Sequence, residues 1–314
     1  MAVNTFKAVA EEWHAKNLHT WSAEHGAKIL RRLEKHVFAD LGKRPIEEIK
    51  PFDLLTVLQK IEKRDDTEIL RRVVQTCAAI FRYGIVTGRC EINPAAHLRG
   101  AFKPHRAKHY PTLHARELPS FLQALADVKT SELNRLALQL LMLTFVRTGE
   151  MRKAKWEDIH LDRALWVLPA ANMKMRVEHH VPLSAASISV LKQIKAIAGD
   201  NPFGLLLPSQ NRQKNPMMCE NTINNLIDKM GYKGKLVGHG FRALASTTLN
   251  EAGKFKPDVI ERQLAHKEPN ATRAAYNHAE YWDERVVMMN WWADYLDALR
   301  VGGTVVIQAK FKVG

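Results

Sequence analysis

Between Arg99 and Arg116 the chain reads RGAFKPHRAKHYPTLHAR, with five basic residues, three histidines, no acidic residue, and prolines at Pro104 and Pro111. Each proline fixes its own φ and removes a backbone donor, and no apolar residue recurs here at helix spacing, so a continuous helix or strand is not expected to cross the segment. What folds before it folds apart from what folds after it. The 314 residues suit two domains of ordinary size. The expected division is 1–98, a linker at 99–112, a second domain at 113–300 and a tail at 301–314.

The same segment concentrates the charge. The whole chain carries 47 Lys and Arg against 33 Asp and Glu, a formal +14. Residues 1–98 contribute +3, 99–116 contribute +5, 117–300 contribute +4 and 301–314 contribute +2. Such an excess suits an anionic partner, nucleic acid before a membrane surface. A bare tether has no need to be free of acids over this length. Arg99, Lys103, Arg106 and Lys108 are therefore read as a strap along a phosphate backbone. The longest apolar run, Leu136 to Val146, is broken by Gln139 and Thr144 and is far shorter than the roughly 20 residues of a membrane helix. The first residues lack a signal-peptide core. Cys77, Cys90 and Cys219 form no CxxC pair or disulfide framework, which fits a reducing cytoplasm, and they read as core thiols.

Ahead of the linker the apolar spacing predicts four helices. The first presents Phe6, Val9, Ala10 and Trp13 after Thr5 as N-cap; the second presents Ile29, Leu30, Leu33 and Val37 and ends near Gly42. The third starts at Pro51 and the fourth runs from about Ile69 to Gly88. Arg31, Arg32, Arg71 and Arg72 lie on their exposed faces, where solvation is the ordinary role. Beyond the linker, helices are expected at 115–127, 131–146, 184–198, 220–230, 241–252, 258–265, 271–277 and 283–299. A hairpin is expected from Ala164–Leu168 and Val177–Leu183, with its turn at Asn172–Arg176. The tail's Thr304–Ile307 is β-prone and is expected to dock by strand addition, in cis or on a neighbouring copy.

Several residues of the second domain could carry chemistry. Arg147 stands where an apolar helix ends, ahead of Gly149 and Glu150. Lys174 lies in the hairpin turn. His239 and Arg242 open a helix, whose free N–H groups are read as a phosphate cradle. His266 ends the run VIERQLAH, and Tyr276 follows ten residues later. His179 and His180 face opposite sides of a strand, so at most one reaches a ligand. The set supplies cations, acid–base groups and a nucleophile without the carboxylate cluster that Mg²⁺ requires, which suits metal-free phosphoryl transfer to a protein side chain.

In order and spacing, Arg147, Lys174, His239-x-x-Arg242, His266 and Tyr276 resemble the six-residue set of the tyrosine recombinase (phage integrase) family. The likeness covers about residues 4–300 and is nearest to satellite-phage-type prophage and genomic-island integrases, through LTFVRTGE, MKMR, GHGFRALASTTLNE and IERQLAHKEPNATRAAYNHAEY. It implies a mainly α fold with a small β-sheet: a helical core-binding domain and a mixed α/β catalytic domain. It implies that Tyr276 attacks the scissile phosphate to form a 3′-phosphotyrosyl link, while Arg147 and Arg242 hold the non-bridging oxygens. Lys174 would protonate the 5′-oxygen, His239 and His266 would assist, and Glu150 would steady Arg147. Neither metal, ATP nor other cofactor is implied. Expected partners are double-stranded DNA attachment sites, three further copies in a tetramer on DNA, an excisionase and a DNA-bending host factor, in the bacterial cytoplasm at the nucleoid. Integrases of this type usually begin with an arm-binding domain, which this sequence does not carry, so core-site contact is the expectation. A catalytically idle DNA-binding remnant and a type IB topoisomerase remain the alternatives.

Overall fold

The computed structural model describes residues 4–98, 100–103, 110–173, 175–209, 216–266 and 279–302. Arg99, Arg106, Lys108, Lys174, Tyr276, the expected helix at 271–277 and the tail strand lie outside the described residues. The chain divides into two compact units, Met1–Lys108 and His109–Gly314.

The first unit is helical. Helix α1 (Phe6–Asn17) starts where the Thr5 hydroxyl accepts from the Ala8 amide at 3.3 Å, and it buries Phe6, Val9 and Ala10. Helix α2 (Ala23–Leu33) passes through a π turn, Glu34–Phe38, into α3 (Ala39–Leu41). Helix α4 (Pro51–Glu62) begins at a proline, whose missing N–H would be unpaired in any case. Helix α5 (Thr67–Val86) is followed by Gly88 at φ 69, a left-handed conformation that glycine adopts without a Cβ clash. The core joins all of them around Phe6, Leu33, Leu58, Ile80 and Phe81, with the Phe6 and Phe81 rings 5.3 Å apart. Arg71 and Arg72 both pair with Glu68 on the same helix face. Lys103 is exposed, and its amide donates to Glu62 Oε1 at 3.0 Å.

The second unit packs eight α-helices around a small sheet among the described residues. They are α6 (Leu118–Asp127), α7 (Glu132–Thr144), α8 (Thr148–Lys153), α9 (Ala185–Ala198), α10 (Thr222–Ile227), α11 (Gly240–Glu251), α12 (Pro257–Gln263) and α13 (Trp282–Arg300). The sheet is antiparallel in the order β1 (Ile159–His160), β2 (Leu165–Leu168), β3 (His179–Pro182), with Trp166 opposite Val181 and Leu168 opposite His179. The hairpin expected from sequence is β2–β3. The third strand, β1, holds two residues, too few to show a period-2 pattern.

Two expectations need correction. Arg147 does not end a helix. Helix α7 stops at Thr144, because Phe145 turns to φ 38, and Arg147 is the N-cap of α8. A left-handed backbone at a bulky residue costs on the order of 1–2 kcal/mol. Full burial of the Phe145 ring, edge-on to Trp292 at 6.1 Å, offsets it. Secondly, Cys77 and Cys90 are buried but Cys219 is exposed. It follows Met218, which takes the inward side of that extended stretch.

Helix α13 closes the unit. Its stripe Met288, Met289, Trp292, Ala293 and Leu296 is buried, and Trp292 Nε1 donates to the Met142 carbonyl of α7 at 2.9 Å. Trp292→Ala should lower unfolding free energy by about 3–5 kcal/mol through the cavity it leaves. Trp292→Phe should cost less, about 1–3 kcal/mol, by orphaning the Met142 carbonyl. Denaturant melts of the two variants would check the order.

Candidate active site

Four of the six residues singled out in the sequence fall within the described residues, and the fold brings them together. Two glycine contacts explain how. A Cβ at Gly238 would lie 2.9 Å from Thr148 Cγ2, so the start of α11 packs flush on the start of α8. A Cβ at Gly240 would lie 2.3 Å from the Pro111 carbonyl oxygen. The GHGFR run is thereby seated against the RTGE run.

Arg147 is held from both ends. Glu150, one turn into α8 and buried, accepts the Arg147 amide at 2.8 Å through Oε2 and its Nη1 at 2.7 Å through Oε1. The other guanidinium arm, Nη2, donates to the Ala265 carbonyl at 3.3 Å. Arg242 is buried; its Nη1 donates to the Phe145 carbonyl at 2.7 Å and its Nη2 to the Leu264 carbonyl. The two guanidiniums therefore converge on consecutive carbonyls. Ala265 has φ 48, and this left-handed turn presents the pair. Burial and the charge of Arg147 lower the Arg242 pKa to about 10, opposed by Glu150 and Glu261. Arg242 still carries its charge at neutral pH.

His239 is the N-cap of α11, and its ring centroid lies 4.7 Å from that of Tyr110. Burial lowers its pKa below the ordinary histidine value, reinforced by Arg242, Arg147 and His266 and opposed by Glu150. His266 follows directly after Ala265, and its Nδ1 lies 2.7 Å from Glu261 Oε2. Two first-turn amides of α11 are already bonded, Gly240 to the Val237 carbonyl at 2.7 Å and Arg242 to the His239 carbonyl at 3.2 Å. An anion here meets guanidinium and imidazole groups more than the open amide cradle expected from sequence.

Beside this group lies a second network that sequence reasoning missed. Arg285, fully buried in α13, donates through Nε and Nη2 to Gln263 Oε1 at 2.9 and 2.7 Å, and through Nη2 to the His180 carbonyl of β3. Its nearest carboxylate oxygen, on Glu280, is 3.9 Å away, and burial lowers its pKa to about 9. His179 is buried on the opposite side of β3 from the half-exposed His180, and its Nε2 lies 3.2 Å from the Gln263 carbonyl. Burial, then the Arg285 charge, pushes the His179 pKa down to about 3, so its Nε2–H donates in the neutral form. The signal for Arg285 was present: it falls on the stripe of Met288, Met289 and Trp292. Among the described residues, no group of three or more His, Cys, Asp or Glu could hold a metal ion, and no helix is long and apolar enough to cross a membrane.

Comparison with known proteins bears on this geometry. Residues 6–101 match the phage integrase central domain, and residues 111–282 match the phage integrase family. The integrase of Enterobacteria phage P4 is 40% identical over 311 residues, covering 94% of this chain and 70% of that protein. Prophage integrase IntS of Escherichia coli (strain K12) is 35% identical over 294 residues, covering 94% of this chain and 76% of that one. The structure of a lambda integrase dimer bound to a COC′ core site superposes with a TM-score of 0.66 at 18% identity, over 88% of this chain and 77% of that one. The chain belongs to the phage integrase family. It is a site-specific recombinase of the tyrosine type.

Two histidines give the folded protein a pH dependence of definite sign. His179 stays neutral in the fold to about pH 3, whereas in the unfolded chain it takes up a proton near the ordinary value of 6.5. Its contribution to stability is therefore full above 6.5 and is lost as pH falls below it, by roughly 2 kcal/mol at pH 5. His239 acts in the same direction. His179→Gln, which can still donate to the Gln263 carbonyl, should flatten the difference between denaturant melts at pH 7 and pH 5. An undiminished difference would assign the proton uptake elsewhere.

Proposed function

We propose that the Arg147–Arg242 pair binds the non-bridging oxygens of a scissile DNA phosphate, and that Tyr276 attacks that phosphorus. One observation carries the reading. Two guanidiniums converge on adjacent carbonyls with a single buried carboxylate, Glu150, between them. Glu150 is buried against Arg147, and Glu261, which is exposed, pairs with His266, so among the described residues neither carboxylate hydrogen-bonds to Arg242. Guanidinium suits the task, since it stays charged and bonds in a planar fork. It stabilises the charge that grows on the phosphoryl oxygens in the transition state.

In the proposed step the Tyr276 oxygen bonds to phosphorus and the bond to the 5′-oxygen breaks. That oxygen takes a proton from Lys174, and the phenolic proton passes to the histidine side of the site, His239 or His266. The 3′-phosphotyrosyl bond conserves the energy of the phosphodiester, so the reverse attack by a 5′-hydroxyl rejoins strands without ATP or metal. The roles of Lys174 and Tyr276 rest on their place in the sequence motif. The helical first unit is assigned to core-site DNA, and the basic stretch Arg99, Lys103, Arg106 and Lys108 to the phosphate backbone. A tetramer on two duplexes, an excisionase and a DNA-bending host factor complete the proposed assembly. The lambda integrase tetramer bound to a Holliday junction, with a TM-score of 0.67 at 17% identity, covers 85% of this chain and 79% of its own.

A nicked suicide substrate, which loses its cleaved 5′ fragment, tests the reading. Wild-type protein should accumulate a covalent DNA adduct. Tyr276→Phe should form none while binding DNA within a few-fold of wild type. Arg242→Ala should slow adduct formation by about 10²–10³. Tight binding by wild type without any adduct would make the protein a DNA-binding remnant.

Lys174 has its own test. Lys174→Ala should cripple cleavage of ordinary DNA and be rescued by a substrate with sulfur at the 5′-bridging position, whose leaving group needs no proton. A sulfur substrate that is no faster would remove Lys174 from the role of general acid.

A further inference from the structure

The His239 ring makes no hydrogen bond among the described residues, yet the charges of Arg242, Arg147 and His266 all act on it. An imidazole without a hydrogen bond turns about its own side-chain torsions unless packing holds it. The contact that holds it comes from residues 110–112. The Tyr110 ring is 64% exposed, so it does not serve the core, and its partner is the imidazole, at 4.7 Å with the planes tilted 55°. Directly after it, the chain is fixed to the first turn of α11. The Pro111 carbonyl occupies the space a Cβ at Gly240 would need, and Thr112 Oγ1 donates to the Gly240 carbonyl at 2.8 Å. Leu113, 4% exposed, then anchors the strap in the core.

We propose that Tyr110–Thr112 is a positioning strap for His239, in which Pro111 and Thr112 fix the strap to α11 and the Tyr110 ring sets the imidazole plane towards the phosphate. This rests on the reading of His239 as a group that assists at the scissile phosphate. Tyr110 is a positioning residue, acting through His239. Residue 240 is restricted to glycine by the strap itself. The groups that act on the imidazole besides Tyr110 are Arg242, Arg147, His266 and Glu150, and none of them makes a ring contact with it. In sequence Tyr110 lies two residues after Lys108, within the 99–112 segment.

The test compares Tyr110→Phe and Tyr110→Ala, each alone and with His239→Ala, on the full chain. Tyr110→Ala should slow suicide-substrate cleavage roughly two- to ten-fold, the loss of one aromatic contact. DNA affinity and melting temperature should stay near wild type. Tyr110→Phe should cleave like wild type. In the His239→Ala background, Tyr110→Ala should add no further slowing, because the two act as one unit. Equal slowing in both backgrounds, or equal damage from Tyr110→Phe, would overturn the proposal. A second readout does not depend on cleavage. In histidine-labelled protein the His239 ring resonances should shift, and its titration midpoint should rise towards 6.5, in Tyr110→Ala but not in Tyr110→Phe. Unchanged resonances and midpoint would also overturn the strap. Should His239→Ala cleave at the wild-type rate while these resonances move as stated, the strap stands and the role given to His239 falls.

Discussion

The catalytic unit is organised around three consecutive residues, Gln263, Leu264 and Ala265. The Gln263 carbonyl accepts from His179 on β3, and its side-chain oxygen accepts from Arg285 on α13. The Leu264 carbonyl accepts from Arg242 on α11, and the Ala265 carbonyl from Arg147 at the head of α8. Four elements distant in sequence are thus tied to one turn at the end of α12. The left-handed backbone at Ala265 makes this possible, because it turns successive carbonyls outward instead of continuing the helix. Orphan carbonyls at a helix C-terminus need donors, and here guanidiniums supply them.

This arrangement trades stability for readiness. Arg242 and Arg285 are both buried, and among the described residues neither has a carboxylate at ion-pairing distance closer than the 3.9 Å of Glu280 to Arg285. Their lowered pKa values, to about 10 and about 9, record the cost of holding charge away from water. Neutral carbonyls and an amide oxygen reduce that cost without cancelling the charge. A carboxylate opposite Arg242 would have stabilised the empty site and competed with a phosphate for the same donors. The buried acid, Glu150, occupies one arm and the amide of Arg147 and leaves Arg242 to carbonyls.

Much of this was legible in the sequence, and the reasons differ by residue. The helices of the first unit follow from apolar spacing, from the cap at Thr5 and from the start at Pro51, since local chemistry fixes them. The HGFR and RTGE runs could be recognised as candidates, but not their convergence, which depends on Gly238 packing on Thr148 from 90 positions away. Arg147 was misread as a helix end because the break at Phe145 uses a left-handed aromatic residue, which no propensity favours; tertiary burial of the ring overrides the local rule. Arg285 sits on an apolar stripe, where a charge signals a buried partner, but its partner, Gln263, is an ordinary residue on another helix. Cys219 shows the opposite failure: residue type suggested burial, and the alternation of an extended stretch decided otherwise.

The charged groups of the site act on one another. Arg147 disfavours the charge on Arg242, and both, with His266, disfavour a proton on His239. Each cation is therefore held at the expense of its neighbours. An anion with several oxygens reverses the sign of these interactions at once: it offers a common acceptor to both guanidinium forks and makes the adjoining imidazoles easier to protonate. The gain is largest for a group whose charge is spread over oxygens that match the separation of the two forks, which describes a phosphodiester better than a single carboxylate. On the proposed reading, negative charge that builds on those oxygens during attack meets guanidiniums already fixed by the carbonyls of residues 145, 264 and 265. The fixing is done by backbone acceptors, and Gln263 and Arg285 tie the same turn to β3, through His179 and the His180 carbonyl.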